Sequence, residues 1–112
     1  MAGKTEPQYL YLMTRGRRSG FPREIEIWFT QRDGRYYVSA EHAEQAQWVR
    51  NLQAVPQVGV RVGEERFAAL ARVVDAATEL TLVVAVQQLS REKYGWGDGL
   101  VVEIVPEAPV RR

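Results

Sequence analysis

The chain has 112 residues, of which 46% are hydrophobic and 26% are charged, so it can build the core of one ordinary domain and has no room for a second. Its 15 basic and 14 acidic residues give a formal net charge of +1, which excludes a general electrostatic attraction to nucleic acid or to an anionic membrane. The absence of cysteine excludes disulfides and thiolate metal sites, and a single histidine argues against a zinc site.

The first part of the chain has the sequence pattern of β-strands. Residues 9–14 are a strand-length run of aromatic and aliphatic side chains, and residues 23–30 alternate between apolar and polar side chains. Asp33 and Gly34 then predict a tight hairpin to residues 35–40. The second and third strands are therefore expected to pair antiparallel.

Helical spacing replaces the alternation in residues 42–55. Trp48, Leu52 and Val55 fall at positions i, i+4 and i+7, which places them on one face of a helix. Pro56 disfavours helical geometry in the residue before it, so the helix is expected to end there.

The second half of the chain predicts a hairpin, a second helix and a last strand. Turn residues at positions 63–65 predict the hairpin, and Asp75 or Thr78 can cap the helix. The predicted elements are strands 57–62, 66–74 and 100–105, and a helix that ends near Lys93 with the buried stripe Leu82, Val83, Val86 and Leu89.

Six strands in antiparallel hairpins and two helices predict a mainly β protein. Such sheets tend to close into barrels, because closure removes exposed edges, so we expect a six-stranded antiparallel barrel. No apolar run approaches the roughly 20 residues of a membrane helix, and the polar N-terminus is unlike a signal peptide. We therefore expect one cytoplasmic domain at residues 1–112, with flexible termini at residues 1–8 and 106–112.

A cationic loop, residues 15–23, follows the first strand. It concentrates four arginines with two glycines and a serine. Guanidinium groups match phosphate oxygens two at a time, and glycines allow backbone N–H groups to approach an anion. Arg23 also shares the apolar face of its strand with Ile25 and Ile27, where a charge needs a partner. The loop is thus either a phosphate site or a solvated basic turn.

Two further segments could bound a ligand. Asn51 follows Trp48 by three residues and lies beside the buried stripe of the helix. Its amide either hydrogen-bonds to backbone groups or forms part of the wall of a cofactor site. Tyr94 and Trp96 lie among glycines and could cover a flat ligand, with the Tyr94 phenol as a candidate proton donor, unless Trp96 simply plugs a barrel end. Since neither a catalytic triad nor a dinucleotide or P-loop motif is present, an enzyme of this sequence would need a cofactor to carry its chemistry.

These motifs, taken in order, resemble the deazaflavin-dependent nitroreductase family, a group of flavin-reductase-like split barrels related to the pyridoxamine phosphate oxidases. The resemblance is carried by residues 13–23, the Ile27-Trp28-Phe29 strand, the Asp33-Gly34 hairpin, residues 48–52 and residues 56–60. It implies a six-stranded split barrel, usually a homodimer, and a reduced deazaflavin (coenzyme F-420) as hydride donor.

The resemblance also implies roles for individual residues. The positions that match the family's phosphate loop are Gly16, Arg17, Arg18, Ser19, Gly20 and Arg23. Trp48 and Asn51 match its cofactor-site helix, and Val38, Ser39 and Ala40 match the strand end near the cofactor ring. Arg18 stands where lysine is commoner in the family, and this difference leaves FMN open as an alternative cofactor.

The sequence therefore predicts an oxidoreductase that transfers hydride from the deazaflavin to a small electrophile such as an enone, quinone or nitro compound. Two alternatives remain open at this point: an FMN-binding split-barrel reductase, and a protein that binds a flavin or another flat ligand without turnover. A nucleic-acid module that uses Arg15, Arg17 and Arg18 with Tyr9 and Tyr11 is disfavoured by the small net charge.

Overall fold

The computed structural model describes residues 7–42 and 45–107. This part of the chain forms seven strands and two helices. The expectation of a mainly β protein with two helices is confirmed. In chain order they are β1 Tyr9–Arg15, β2 Pro22–Trp28, β3 Thr30–Arg32, β4 Arg35–Ala40, α1 Gln47–Ala54, β5 Gln57–Val62, β6 Glu65–Val73, α2 Leu80–Tyr94 and β7 Leu100–Pro106.

All seven strands form one antiparallel sheet in the order β2-β1-β5-β6-β7-β4-β3. β2 and β3 lie at opposite edges of this sheet, although only Phe29 separates them in the chain. The sheet must therefore curl until its two edges approach each other, and β2 contacts β4 across the remaining gap. The result is a half-barrel that is open along this gap, which we name the seam.

The expected number of six strands is wrong by one, because the predicted strand 23–30 is divided in the structure. β2 pairs with β1 as far as Trp28, whereas β3 begins at Thr30 and pairs with β4. The alternation of apolar and polar side chains continues through Phe29, so the sequence pattern gives no sign that the strand changes its partner there.

The predicted hairpin between β3 and β4 is confirmed. Asp33 and Gly34 have φ angles of 55° and 77°. A type I′ turn requires positive φ at both central residues, and Asp-Gly is one of the pairs that adopt it readily. This turn fixes the register that places Thr30 opposite Tyr37.

Apolar side chains pack in two layers, one inside the curl and one outside it. Leu52 of α1 belongs to the inner layer, and α1 packs against β1 and β6, whereas α2 packs against β3 and β7. The outer layer lies between α2 and the outer face of β4 and β7. Its buried members are Tyr37, Val74, Val83, Val86 and Val101.

Both helices begin later than the sequence pattern suggests. α1 begins at Gln47 rather than at His42, and residues 43–44 of the predicted helix lie outside the described residues. α2 begins at Leu80, so the predicted caps Asp75 and Thr78 are wrong. Its cap residue is Glu79, which makes no side-chain capping bond.

The turn before α2 explains this difference. Asp75 Oδ1 accepts a hydrogen bond of 2.9 Å from the Ala77 N–H, so its carboxylate stabilises the turn instead of the helix end. Within the described residues, neither helix combines the length and the apolar character that crossing a membrane requires.

Candidate functional site

The cationic loop folds back on itself between β1 and β2. The Gly16 N–H donates to the Phe21 carbonyl oxygen and the Gly20 N–H donates to the Gly16 carbonyl oxygen, each at 2.8 Å. Gly20 has a φ of +77°, and a Cβ on Gly16 would lie 2.6 Å from Ser19 Oγ. The positive φ of Gly20 therefore favours glycine there, and a side chain at Gly16 would displace the Ser19 hydroxyl.

The four arginines of the loop differ in what they contact. The Arg15 guanidinium donates to the Gly20 carbonyl oxygen at 3.2 Å, which braces the turn. The side chains of Arg18 and Arg23 are exposed and make no hydrogen bond or ion pair with any residue in the described ranges 7–42 and 45–107. Arg23 lies directly opposite buried Thr14, on the face that the alternation predicted. Two guanidinium groups are thus available to an external anion.

Asn51 holds the fourth arginine and the loop itself. Its side chain is 5% exposed, and its Oδ1 accepts hydrogen bonds from the Arg17 N–H at 3.2 Å and from the Arg17 guanidinium at 2.9 Å. Its Nδ2 donates to Thr14 Oγ1 at 3.4 Å. The amide thereby connects α1, the end of β1 and the cationic loop, and it fixes the position of the loop.

A cleft of about 520 Å³ opens beside the seam, and we name it the aromatic cleft. All three tryptophans of the chain line it: Trp28, Trp48 and Trp96. Four further aromatic side chains contribute to its walls: Tyr9, Phe29, Tyr37 and Tyr94. Apolar, aromatic walls with a few polar groups are typical of sites for flat ligands.

Tyr94 connects one wall of the cleft to Phe29, the residue between β2 and β3. Its ring stacks on Trp28 with centroids 4.4 Å apart and planes 4° apart. Its hydroxyl accepts from the Phe29 N–H at 3.0 Å and lies 2.8 Å from the carbonyl oxygens of both Phe29 and Gln8. Phe29 lies between β2 and β3, so its backbone groups are not part of the hydrogen-bond pairing of either strand. The Tyr94 hydroxyl satisfies them instead. The role of Tyr94 as a proton donor stays a prediction.

Trp96 reaches the cleft from the segment after α2. The Ser90 hydroxyl donates to its carbonyl oxygen at 2.5 Å. A Cβ on Gly99 would lie 2.8 Å from the Trp96 indole and 2.9 Å from the Ala40 carbonyl oxygen. The indole therefore packs directly against Gly99, where a larger side chain would clash. Gly99 therefore serves the packing of this tryptophan, whereas Gly97 lies against Gln87 and Arg91 of α2.

The predicted ring-binding residues of β4 divide between two environments. Ser39 lines the aromatic cleft. The side chains of Val38 and Ala40 are each 1% exposed, and their backbone pairs with β7. Of the three, only Ser39 brings its side chain to the cleft.

The sequence analysis missed several residues of the cleft. Tyr9 and Trp28 lie directly opposite each other on β1 and β2. The Trp28 side chain is on the same face of β2 as Glu24 and Glu26. An aromatic side chain on the polar face of an alternating strand is a signal that could have indicated them. Thr30, Tyr37 and His42 also line the cleft, but their placement depends on tertiary structure that no local pattern encodes.

The charges beside the cleft are internally balanced. Burial, together with the hydrogen bond to Glu103, raises the pKa of Tyr37 to about 12. Burial alone would raise the pKa of Glu103, but hydrogen bonds from Arg72, Tyr37 and Arg35 bring that pKa below its ordinary value. Glu103 is therefore an ionised, fully engaged carboxylate and Tyr37 a neutral phenol.

Helix α1 connects the cationic loop to the aromatic cleft. Trp48 lines the cleft, and Asn51, three residues later, holds the loop. Three residues span about 4.5 Å along a helix axis. The cationic loop and the aromatic cleft therefore both lie against one turn of α1.

A family model described as "F420H(2)-dependent quinone reductase" matches residues 2–97. The chain belongs to this quinone reductase family. The match spans every residue that the sequence analysis assigned to the site, and it confirms the predicted relationship to deazaflavin-dependent reductases. No curated protein matches the chain.

Solved structures share the fold of this quinone reductase family member. The heme storage protein HutZ from Vibrio cholerae is 24% identical with a TM-score of 0.75, over 93% of this chain and 84% of that one. An F420-H2 Dependent Reductase (FDR-A) is 20% identical with a TM-score of 0.70, over 94% and 99%. A FAD-binding protein from Mesorhizobium loti is 14% identical with a TM-score of 0.68, over 90% and 82%. At these identities the likeness shows the fold alone.

The residues present fit the phosphorylated cofactor for which the family is named. Arg18 and Arg23 offer two unengaged guanidinium groups, and the glycine turn of the loop leaves room for close approach. A cleft of about 520 Å³ lies within the range of small-molecule sites, about 300 to 1,000 Å³. Both halves of such a ligand therefore have a matching region in this family member.

Proposed function

We propose that the protein is a reductase that uses reduced coenzyme F-420 to transfer hydride to a small, flat electrophile such as an enone, quinone or nitro compound. The observation that carries the proposal is the connection of the cationic loop to the aromatic cleft through Asn51 and Trp48 of α1. Membership of the quinone reductase family supports the deazaflavin as the cofactor.

The cationic loop binds the cofactor phosphate in this proposal. Arg18 and Arg23 contribute guanidinium groups that can each donate two hydrogen bonds, and charge-assisted bonds of this kind contribute about 1.5 to 3 kcal/mol each. Arg17, held by Asn51, contributes charge and its remaining donors. Gly16, Ser19 and Gly20 form the turn that brings these groups together.

The aromatic cleft positions the ring and the electron acceptor. Ser39 and Trp48 bound the ring, and the buried side chains of Val38 and Ala40 hold the strand that carries Ser39. When bound, the reduced deazaflavin supplies the hydride. The aromatic walls would exclude water and hold a flat acceptor inside the cleft.

Tyr94 and Trp96 cover the acceptor in this arrangement. The proton that completes the reduction comes either from solvent or from the Tyr94 phenol, which would have to exchange a backbone hydrogen bond for one to the acceptor. We extend the proposal to a homodimer, as the family resemblance implies, and to a cytoplasmic location, as expected from the sequence. Analytical ultracentrifugation of the purified protein tests the dimer.

Turnover with a defined acceptor tests the activity. The purified protein is mixed with reduced coenzyme F-420 and menadione without oxygen, and the return of oxidised deazaflavin absorbance is followed. We expect saturable, protein-dependent oxidation. Arg32→Ala is the matched control for arginine variants of the loop, because Arg32 is an exposed cation of the β3–β4 hairpin, 3.6 Å from Asp33.

The same assay distinguishes the alternatives. Turnover with FMN and not with the deazaflavin would favour the FMN-dependent reductase. Tight binding of the deazaflavin without oxidation by any enone, quinone or nitro compound would favour a binding protein without turnover. Binding of neither cofactor would contradict the proposal.

A further inference from the structure

The aromatic cleft has a negatively charged lining. Two carboxylates line it, those of Glu26 and Glu41. His42 lines it as well, and in its neutral form this residue leaves both negative charges unopposed. Within residues 7–42 and 45–107, no lysine or arginine lines the cleft. The region that is proposed to receive the electron acceptor therefore carries an excess of negative charge.

Neither carboxylate is balanced by a cation of the described part of the chain. Glu26 and Glu41 are both exposed, and neither forms an ion pair with any residue in the described ranges. The Glu26 carboxylate accepts a hydrogen bond of 3.0 Å from the Tyr11 hydroxyl, and this contact raises the pKa of the phenol above its ordinary value. Tyr11 is therefore a neutral partner that leaves the charge of Glu26 in place.

Three cations close to these walls are occupied elsewhere. Lys93 contacts two aromatic residues of the cleft wall, but its ammonium donates to two backbone carbonyl oxygens, at 3.0 and 3.2 Å. Arg35 and Arg72 form ion pairs with Glu103 and Glu79, so that two carboxylates balance two guanidinium groups. The excess of negative charge therefore remains with the lining of the cleft.

The cationic loop and the aromatic cleft thus have opposite charge. In the proposed function the loop binds the cofactor phosphate, so its guanidinium groups are neutralised when an acceptor enters the cleft. The aromatic walls act in the same direction as the carboxylates, because the faces of aromatic rings attract cations. The Nζ atom of Lys93 lies 4.0 Å from the centroid of the Phe29 ring in such a contact. An acceptor in the cleft therefore meets groups that favour positive charge and oppose negative charge.

We propose that the aromatic cleft selects its electron acceptor by charge, so that it binds neutral and cationic compounds and discriminates against anionic ones through Glu26 and Glu41, an inference that rests on the proposed function. Two carboxylates about 6 Å from a unit charge change its affinity about tenfold in water, and salt weakens this effect. Glu26 and Glu41 are therefore specificity-determining residues, and hydride transfer itself does not depend on them.

Three nitroaromatic compounds of nearly equal shape test this inference. The amidine, para-nitrobenzamidine, carries one positive charge; the amide, para-nitrobenzamide, is neutral; and the carboxylate, para-nitrobenzoate, carries one negative charge. Binding of each compound is followed by quenching of tryptophan fluorescence, because all three tryptophans line the cleft. A dilute phosphate buffer keeps inorganic phosphate on the cationic loop, so that the anionic compound does not bind there instead.

The cleft variant combines Glu26→Gln with Glu41→Gln, which removes both charges and keeps the shape of both side chains. The matched control combines Glu64→Gln with Glu107→Gln and removes the same number of charges from exposed residues outside the cleft.

We expect the unmodified protein to bind the amidine at least about tenfold more tightly than the carboxylate, with the amide between them. The cleft variant should reduce this ratio to about threefold or less and leave the affinity for the amide within about twofold, whereas the control should keep the full ratio. Sodium chloride at about 1 M shortens the Debye length to about 3 Å and should also reduce the ratio in the unmodified protein.

Four results would overturn the inference: equal affinities for the three compounds, tighter binding of the carboxylate, an unchanged ratio in the cleft variant, or no binding of any of the compounds. None of these measurements requires turnover. A protein that ranks the compounds by charge through Glu26 and Glu41 but never oxidises the reduced deazaflavin would contradict the proposed function while leaving charge selection by the cleft supported.

Discussion

Asn51 is the residue on which the position of the cationic loop depends. Its amide accepts from both the backbone and the guanidinium of Arg17, and removal of a buried acceptor of this kind costs about 1 to 3 kcal/mol. We expect Asn51→Ala to weaken deazaflavin binding at least threefold and to lower the melting temperature. Gln53→Ala, an exposed amide on the same helix, is the control in both measurements. Unchanged deazaflavin affinity in Asn51→Ala would show that the loop is positioned without this amide.

At the residue scale, local periodicity predicted some side-chain positions and missed others. Of the expected stripe of α1, Leu52 is buried, whereas Trp48 is half-buried and Val55 lies beyond the end of the helix. Val49 and Asn51 are buried with Leu52 instead.

The alternation of β2 placed Arg23 on the correct face, and the helical spacing placed Asn51 beside the buried stripe. Local patterns could not show that the hydrogen-bond partner of Asn51 is Arg17, which lies 34 positions earlier in the chain. Thr30 carries no local signal, because its burial arises from the packing of β3 beneath α2.

At the scale of elements, the junction between β2 and β3 depends on the end of α2. Tyr94→Phe keeps the stacking on Trp28 but leaves the Phe29 N–H without its acceptor. We expect a loss of about 1 to 3 kcal/mol in unfolding free energy and faster amide exchange at Phe29. Tyr11→Phe, which removes a hydroxyl bonded to exposed Glu26, is the control and should change stability little.

Tyr94→Phe also tests the predicted proton transfer. If turnover falls and its pH profile changes while stability and exchange at Phe29 remain unaltered, the hydroxyl acts on the acceptor rather than on the backbone. A loss of stability with an unchanged pH profile would assign Tyr94 to positioning.

A row of hydrogen-bonded polar side chains across three strands joins α2 to the sheet. Arg72 and Tyr37 lie directly opposite Glu103 on either side, and Arg72 also binds Glu79, the cap residue of α2. The pKa of Glu103 is below its ordinary value of 4.5. The stabilisation that it contributes is therefore present above about pH 4.5 and is lost as the pH falls through the lowered value.

We expect Glu103→Gln to be less stable than the unmodified protein by about 2 kcal/mol near neutral pH. Its stability should also fall less steeply as the pH drops from about 5 to about 3, because the titrating group is absent. Urea unfolding across this pH range measures both effects. Glu64→Gln, in the exposed β5–β6 turn, is the control, and parallel pH profiles for Glu103→Gln and the unmodified protein would contradict the assignment.

Most strands were predictable because each alternates and ends at a turn signal. Arg35–Ala40 and Gln57–Val62 have the expected bounds, and the Asp33-Gly34 hairpin is confirmed. The divided strand at Phe29 was not predictable, since its two halves keep one pattern while they pair with different neighbours.

At the scale of the whole molecule, the seam determines where a ligand can bind. The hairpins predict an antiparallel barrel, but hairpin signals do not say which two edges remain apart. The structure leaves the edge strands β2 and β3 unpaired with each other, and Trp28 of β2 and Tyr37 of β4 both line the cleft beside this gap. The site therefore follows from the way the sheet closes.

The central claim is that one ligand occupies both the cationic loop and the aromatic cleft. Titration with oxidised coenzyme F-420, followed by tryptophan quenching, tests it most directly in the unmodified protein and in an Arg18→Ala, Arg23→Ala double variant, with Arg32→Ala as control. We predict saturable quenching at one ligand per chain, an affinity at least tenfold weaker in the double variant, and the same quenching at saturation. Binding without quenching, or equal affinity in the double variant, would contradict the account.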